Sequence, residues 1–164
     1  MPKSASKATT ELAQSGAAQP LTLIDASALI ALLGAEPAAA EVSTLLKDEA
    51  ASITTLNLAE AVDRLKRRYD LAVEQTRPVI EGLLAGALDL IPIESAQAWR
   101  AAEIRASHYH RKDCPISMAD AVLVASAPSS GRIASSDSHV LSVGRREGVS
   151  VIVLPDSQGR RAKV

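Results

Sequence analysis

The sequence predicts an α/β fold, a three-layer sandwich in which a central, mainly parallel sheet is flanked by helices. Short, uniformly apolar runs alternate along the chain with longer segments of helix-forming composition, and such runs are typical of strands buried on both faces. Strands joined through a helix run parallel, because the crossover returns the chain to the same edge of the sheet. The length of 164 residues suits one such domain, since domains commonly have about 100 to 150 residues.

The first half of the chain supplies two strands and four helices. A helix follows the first apolar run, and Gly34 and Pro37 end it. In the third helix, Leu58, Val62 and Leu65 recur at spacings of four and three, which predicts one apolar face. The predicted elements of this half are the strands 21–24 and 52–54 and the helices 26–33, 38–50, 56–69 and 71–84.

The second half repeats the alternation. Pro78 predicts a kink or break in the fourth helix. Pro92 closes the next strand, and Ser95 is expected to cap the helix that follows. The predicted elements of this half are the strands 88–93, 132–135 and 149–154 and the helices 95–109, 116–127 and 138–146.

The two terminal segments have too little apolar content to join a core. Residues 1–20 are rich in Ala, Ser, Thr, Gln and Lys and contain one leucine, so we expect a disordered tail there. Residues 158–164 carry two arginines and a lysine, which indicates a flexible basic tail. The folded domain is therefore predicted to span residues 21–157.

Composition narrows the classes of protein that remain. Apolar residues make up 47% of the chain and charged residues 23%, which excludes a wholly disordered protein. The net charge is −1, so a nucleic acid would have to be bound by a local basic surface. The single cysteine, Cys114, excludes an internal disulfide and favours a reducing compartment, so we expect a cytoplasmic protein.

Asp25 interrupts the apolar run 21–33, and no stretch approaches the roughly 18 apolar residues of a membrane span, so neither export nor a membrane anchor is expected.

Four acidic residues stand where the predicted fold would bring side chains together. Asp25 follows the first strand and Asp137 follows the fourth, and ligands of parallel sheets bind beyond the carboxyl ends of the strands. Glu60 lies one turn into the third helix, beside its apolar face, and can lean toward the same crevice. Asp120 lies in a helix that is apolar on nearly all sides, where an unpaired buried carboxylate is costly and needs a partner.

The surroundings of these acids favour a bound cation. Their neighbours in sequence are small, and no run of arginine or lysine accompanies them. Oxygen ligands without His or Cys suit Mg²⁺ or Mn²⁺ rather than zinc or copper, and such ions activate water against phosphodiesters. Capping offers an equally good explanation for Asp25 and Asp137, because each opens a helix, and Glu60 taken alone would be a surface residue.

The order of these motifs resembles that of the PIN-domain ribonucleases, and within them most closely the VapC toxins of bacterial toxin–antitoxin pairs. The similarity covers residues 21–155. It rests on four short segments, which are Leu23-Ile24-Asp25-Ala26-Ser27-Ala28-Leu29, Asn57-Leu58-Ala59-Glu60, Ser117-Met118-Ala119-Asp120-Ala121 and Ser136-Asp137-Ser138.

The resemblance implies the toxin of a toxin–antitoxin system, a Mg²⁺- or Mn²⁺-dependent endoribonuclease. Its catalytic and metal-binding residues would be Asp25, Glu60, Asp120 and Asp137. Asp25 and Asp120 are expected to bind the metal directly. Glu60 and Asp137 are expected to complete the pocket, to orient metal-bound water or to hold a second ion.

The resemblance also implies supporting groups and partners. Ser27 and Ser136 are expected to hydrogen-bond the carboxylates, and Ser136 stands where the family often has Thr. The implied partners are an RNA substrate, a second copy of the chain in a homodimer, and a small antitoxin that covers the site.

Two other functions are compatible with the same kind of sheet. The main alternative is a PIN-like fold used as a non-catalytic RNA- or protein-binding module. The four acids argue against it, because such a module has no reason to keep uncompensated like charges together. A phosphate-accepting receiver domain is disfavoured, because no paired acids follow the first strand and no lysine ends a late strand.

Basic residues cluster at 64–68, 105–112, 145–146 and in the last tail. RNA binding would need some of them, and we favour 105–112 because it leads into the helix of Asp120. For any single cluster, a solvated helix face is the simpler explanation.

The remaining chemically distinctive residues receive structural or surface roles. The three histidines, His108, His110 and His139, are not spaced as metal ligands and are expected at the surface or beside RNA. Trp99 is expected to pack against the sheet, and Cys114 is expected to be chemically inert.

Overall fold

The structure, a computed structural model, describes residues 21–48 and 50–164. A parallel sheet of five strands forms the centre of this part of the chain. The predicted tail at 1–20 lies outside these residues. The strands are β1 (Thr22–Ile24), β2 (Ala51–Thr54), β3 (Asp89–Ile91), β4 (Arg132–Ser135) and β5 (Ser150–Val153). They lie in the order β3–β2–β1–β4–β5, and every neighbouring pair is parallel.

Seven helices of the described residues flank this sheet. They are α1 (Ala26–Leu33), α2 (Ala39–Asp48), α3 (Thr55–Tyr69), α4 (Val73–Leu84), α5 (Ser95–His108), α6 (Met118–Ser126) and α7 (Ser138–Arg146). None of the helices in this part of the chain is long and apolar enough to cross a membrane.

Two hydrophobic cores, one on each face of the sheet, produce the three layers. Side chains of α1 to α4 share a core with Ile24, Ile53 and Ala134. Side chains of α5 to α7 share a second core with Leu23 and Ile133. Consecutive strand residues therefore enter different cores, because side chains alternate across a strand. The predicted three-layer α/β fold is confirmed, and its sheet is parallel throughout.

The order of the strands places a crevice between β1 and β4. From β1 the chain moves outward to β2 and then β3, and it crosses back to β4 on the other side of β1. At such a reversal the connections leave in opposite directions, which opens a crevice beyond the carboxyl ends of the two strands. Thr22, Leu23 and Ile24 pair with residues 132–134, so Asp25 and Ser135 follow at the same level of the sheet.

Some element boundaries differ from the predicted ones. The sixth helix begins at Met118 rather than Ile116, because Ser117 caps it. The cap of α5 is Glu94, not Ser95, and its side chain makes no capping hydrogen bond. The fourth helix does not break at Pro78; it continues on both sides of this residue, where the buried side chains of Thr76 and Ile80 hold it against its neighbours.

The C-terminal residues fold back beside β5. Asp156 accepts hydrogen bonds from the backbone N–H groups of Gln158 and Arg160. Arg161 donates to the Val153 carbonyl and pairs with Glu41 of α2. The division into a domain at 21–157 and a flexible tail at 158–164 stays a prediction.

Candidate active site

Asp25 occupies the turn where β1 passes into α1. Its backbone N–H donates to the Ala134 carbonyl of β4 at 3.0 Å, which anchors the residue to the neighbouring strand. Its side chain caps α1, since Oδ1 accepts from the Ala26 N–H at 2.7 Å. Only 4% of the residue is exposed. Asp25 is therefore a true helix cap, and it also lies at the mouth of the crevice.

Three more side chains donate to the Asp25 carboxylate. The hydroxyls of Ser27 and Ser135 donate to Oδ2 at 2.7 and 2.8 Å. The side-chain amide of Asn57 donates to Oδ1 at 3.4 Å. Donors from α1, β4 and α3 thus meet on one buried carboxylate, and hydrogen bonds to an ionised group are stronger than neutral ones. They fix the Asp25 side chain in one orientation.

Ser135, the last residue of β4, connects Asp25 with Asp137. Its hydroxyl donates to Asp25 and accepts the Asp137 N–H at 2.9 Å. Asp137 is exposed and caps α7, with Oδ1 accepting from the His139 N–H at 2.7 Å. One buried hydroxyl therefore sets the backbone position from which the Asp137 carboxylate projects.

The expectation that Ser136 hydrogen-bonds a carboxylate is wrong. Its backbone N–H donates to Ser27 Oγ at 3.2 Å, and the hydroxyl bound to Asp25 belongs to Ser135. The reason is the alternation of side chains along a strand, which turns Ser135 toward Asp25. The expectation for Ser27 is confirmed.

Glu60 projects from α3 one turn after the cap of that helix. Thr54, at the end of β2, caps α3 by accepting from the Asn57 N–H. Glu60 Oε1 lies 3.6 Å from Nη1 of Arg64, one turn further along. Glu60 Oε2 is buried and has no hydrogen-bond partner among the described residues. A buried, unpartnered carboxylate oxygen is costly, so this atom favours a ligand that can pair with it.

Asp120 lies in the first turn of α6 and is half-buried. The Ser117 N–H donates to its Oδ2 at 2.6 Å, and its own N–H donates to Ser117 Oγ at 3.1 Å. These reciprocal bonds form a capping box, and the positive end of the helix dipole also favours a carboxylate there. The hydrogen-bond partner expected for the Asp120 carboxylate is therefore the N-terminus of its own helix.

The four acids influence one another electrostatically. Burial raises the pKa of Glu60, and the negative charges of Asp120, Asp25 and Asp137 raise it further against the opposing effect of Arg64. Burial likewise raises the pKa of Asp120, and the charges of Asp25 and Asp137 add to the increase, while the hydrogen bonds with Ser117 lower it. Glu60 and Asp120 therefore lie within electrostatic range of Asp25 and Asp137.

The donor set fits a hard divalent cation. All four candidates offer carboxylate oxygens, Glu60 Oε2 lacks a partner, and Arg64 is the basic group that acts on Glu60. As they stand, no three His, Cys, Asp or Glu side chains within residues 21–48 and 50–164 are arranged to hold a metal ion. Like charges repel, so drawing these carboxylates closer together requires a cation. Their assignment as catalytic and metal-binding residues stays a prediction.

Two residues of this network were missed from the sequence. Asn57 and Ser135 are both fully buried, at 0% exposed. The sequence offered a signal for Ser135, because it is a polar residue at the end of an apolar strand. It offered none for Asn57, whose partner Asp25 lies 32 positions away in the chain.

The basic cluster at 64–68 is largely neutralised by acidic partners. Its four ion pairs are Arg64–Glu60, Lys66–Asp70, Arg67–Asp63 and Arg68–Glu36. Most of these side chains are well exposed, so the pairs are screened by water. This face of α3 is therefore a solvated, mixed-charge surface.

The structure can be compared with two further expectations, that Trp99 packs against the sheet and that His108 lies at the surface or beside RNA. The expectation for Trp99 is wrong: it is 75% exposed, because the buried side of α5 is formed by Ala101 and Ile104. His108 is largely buried and its Nε2 lies 2.6 Å from Glu147 Oε1.

Several solved structures have a similar fold. One is DNA-bound VapBC from Salmonella typhimurium, with a TM-score of 0.58 and 18% identity, covering 81% of this chain and 97% of that chain. Another is FitAcB from Neisseria gonorrhoeae, with a TM-score of 0.55 and 21% identity over 80% of this chain and 96% of that chain. A third is Mycobacterium tuberculosis VapC20, a sarcin-ricin loop cleaving toxin, with a TM-score of 0.52 and 17% identity over 63% of this chain and 78% of that chain.

The sequence itself identifies the family. No curated protein matched it, but the PIN domain family model matches residues 22–152. This match includes β1 to β4, most of β5 and all four candidate acids. The chain belongs to the PIN domain family.

Proposed function

We propose that this protein is a metal-dependent endoribonuclease that hydrolyses RNA phosphodiester bonds and serves as the toxin of a toxin–antitoxin pair. The observation that carries the proposal is the raised pKa of Glu60 and of Asp120, caused first by burial and then by the negative charges of the neighbouring acids. Such perturbed acids in a crevice are typical of catalytic sites. Membership of the PIN domain family supports a nuclease.

Asp25 and Asp120 would bind a Mg²⁺ or Mn²⁺ ion directly, with Glu60 and Asp137 completing the site. When bound, such an ion lowers the pKa of water and offsets the negative charge of the phosphodiester. The protein supplies the fixed geometry. Asp25 is held by four donors, and Asp120 is held by its capping box.

Glu60 is the group best placed to handle a proton. Its Oε2 is buried without a partner, and its raised pKa makes it a stronger base than an ordinary glutamate. Hydrolysis forms a bond between phosphorus and the attacking water oxygen and breaks the bond between phosphorus and the leaving oxygen, which gains a proton. Glu60 Oε2 can take the proton of the attacking water, and solvent can protonate the leaving oxygen.

RNA would approach along the turn between α5 and α6. The backbones of His110 and Cys114 pair there at 2.9 and 3.0 Å, so the tip of the turn projects Arg111 and Lys112, both exposed. Arg105 donates to the Ile116 carbonyl at 3.3 Å. This turn therefore presents positive charge close to the capping box of Asp120, where a phosphate backbone would meet it.

The similarity to VapBC and FitAcB supports the biological setting of the proposal. In this setting the chain acts in the cytoplasm, forms a homodimer and is inhibited by a small cognate antitoxin that covers the acidic crevice.

The test is cleavage of total RNA by the purified chain with Mn²⁺, with EDTA, and with the variants Asp25→Asn and Asp120→Asn. We expect cutting that EDTA stops and that either substitution reduces by at least about 100-fold, the usual effect of losing a charge that acts in the transition state. Undiminished cutting in both variants would refute the four-carboxylate site.

A non-catalytic RNA- or protein-binding module is the second candidate, and one observation favours it. Asp25, Asp120 and Asp137 each satisfy the N-terminus of a helix, so stability alone would retain them. This candidate predicts binding of RNA or a protein partner without turnover at any divalent ion concentration. The same cleavage assay separates the two.

A further inference from the structure

Asn57 is a fully buried polar residue in the first turn of α3, and its amide is one of the donors to the Asp25 carboxylate. A buried amide needs hydrogen-bond partners. Its backbone N–H donates to Thr54 Oγ1 at 3.1 Å, and the Thr54 hydroxyl donates back to its side-chain Oδ1 at 2.5 Å. One end of the side-chain amide is therefore committed to Thr54.

The other end of the amide faces Asp25. Asn57 Nδ2 lies 3.4 Å from Asp25 Oδ1. An ionised carboxylate only accepts hydrogen bonds, so turning the amide over would set two acceptors against each other and would separate the Thr54 hydroxyl from its acceptor. Thr54 and Asp25 together therefore allow a single orientation of Asn57.

Among the described residues, this amide supplies the hydrogen bond between the Asp25 side chain and the helix of Glu60. Of the other donors to Asp25, Ala26 and Ser27 belong to its own turn, and Ser135 belongs to β4. Asn57 and Glu60 are three residues apart on α3, so they share a face of the helix. The hydrogen bonds from Thr54 to Asn57 and from Asn57 to Asp25 therefore connect the carboxyl ends of β2 and β1.

We infer that Asn57 is a positioning residue of the site: its amide, oriented by Thr54, holds the Asp25 carboxylate at a fixed place relative to Glu60, so that both face the same divalent cation. This inference rests on the proposed function. Loss of a hydrogen-bonding group behind a metal ligand commonly lowers metal affinity about 10- to 100-fold, and a similar loss is expected here.

The test measures Mn²⁺ affinity of the full chain by isothermal titration calorimetry, which needs no turnover. We expect Asn57→Ala to weaken Mn²⁺ binding about 10- to 100-fold and Thr54→Val to weaken it about tenfold. Thr54→Ser keeps the hydroxyl and should restore affinity to within about twofold of wild type. In RNA cleavage at saturating Mn²⁺, Asn57→Ala should lower kcat with little change in KM, since the amide does not touch RNA.

A matched control separates positioning from stability. Thr76 is also a buried polar residue, 4% exposed, but its hydroxyl donates to the Ala72 and Val73 carbonyls at the start of α4. Thr76→Val should leave Mn²⁺ affinity unchanged. If Asn57→Ala does not fold by circular dichroism, Thr54→Val and Thr54→Ser decide the matter.

The outcomes distinguish the inference from the function beneath it. Suppose that the wild-type protein binds Mn²⁺ and cuts RNA. If Asn57→Ala, or a folded Thr54→Val variant, then binds Mn²⁺ as tightly as wild type or more tightly, the inference about Asn57 is overturned and the proposed function stands. An equal loss in Thr76→Val also overturns the inference. A wild-type protein that neither binds Mn²⁺ nor cuts RNA overturns the proposed function, and the positioning role with it.

Discussion

Replacing Ser135 by alanine should weaken the fold far more than the loss of one hydroxyl usually does. The Ser135 side chain is fully buried, donates to the Asp25 carboxylate and accepts the Asp137 N–H. A hydrogen bond to a charged group contributes about 1.5 to 3 kcal/mol, and a neutral one about 1 kcal/mol. Ser135→Ala should therefore lower the free energy of unfolding by about 2 to 4 kcal/mol.

Urea unfolding followed by circular dichroism, in EDTA, measures this change, and an unchanged m-value would show that the unfolded state is unaltered. Ser126 provides the matched control, since its Oγ is buried without a partner among the described residues. Ser126→Ala should be neutral or stabilising by up to about 1 kcal/mol, because it removes an unsatisfied polar group. A Ser135→Ala protein within about 0.5 kcal/mol of wild type, or equal losses in both variants, would show that the two Ser135 hydrogen bonds do not stabilise the fold.

Three further predictions follow from the same crevice and from α5. The pKa of Glu60 is raised above its ordinary 4.5, so the folded protein holds that proton more tightly than the unfolded chain does. Stability in EDTA should therefore fall as pH rises above 4.5. Glu60→Gln should reduce this fall in melting curves between about pH 4 and 8, and Asp120, whose pKa is also raised, should account for the rest. The asparagine side chain of Asp120→Asn can still accept the Ser117 N–H, so this variant should melt close to wild type in EDTA. It should lose the stabilisation by Mn²⁺, which for wild type is about 2.7 kcal/mol when the Mn²⁺ concentration is about 100 times the Kd. Trp99→Ala should change the free energy of unfolding by less than about 1 kcal/mol, against about 3 to 5 kcal/mol for a buried tryptophan, and acrylamide should quench the fluorescence of this single tryptophan efficiently.

The layered fold was predictable because its signals are local and repeated. The helix predicted at 26–33 matches α1 residue for residue, since Asp25 caps its start and Gly34 ends it. The strand at 132–135 was likewise placed without error. Apolar runs bounded by clear breaks leave little choice of boundary, and the parallel arrangement follows from the helices between them.

The contacts within the site were less predictable, because they depend on register and on distant parts of the chain. Whether Ser135 or Ser136 faces Asp25 changes with a shift of one residue in the strand. The pairing of Asn57 with Asp25 joins residues 32 positions apart, which no local pattern encodes. Trp99 was misplaced because an aromatic residue on an amphipathic helix suggests burial, whereas the packing of α5 on α6 buries Ala101 and Ile104 instead.

The position of a bound Mn²⁺ ion decides whether the four acids form one metal site. Crystals of the full chain soaked in Mn²⁺ should show an anomalous diffraction peak at the carboxyl ends of β1 and β4, in contact with carboxylate oxygens of Asp25 and Asp120. A protein that cuts RNA in Mn²⁺ while its anomalous peak lies elsewhere, away from all four acids, would contradict the account.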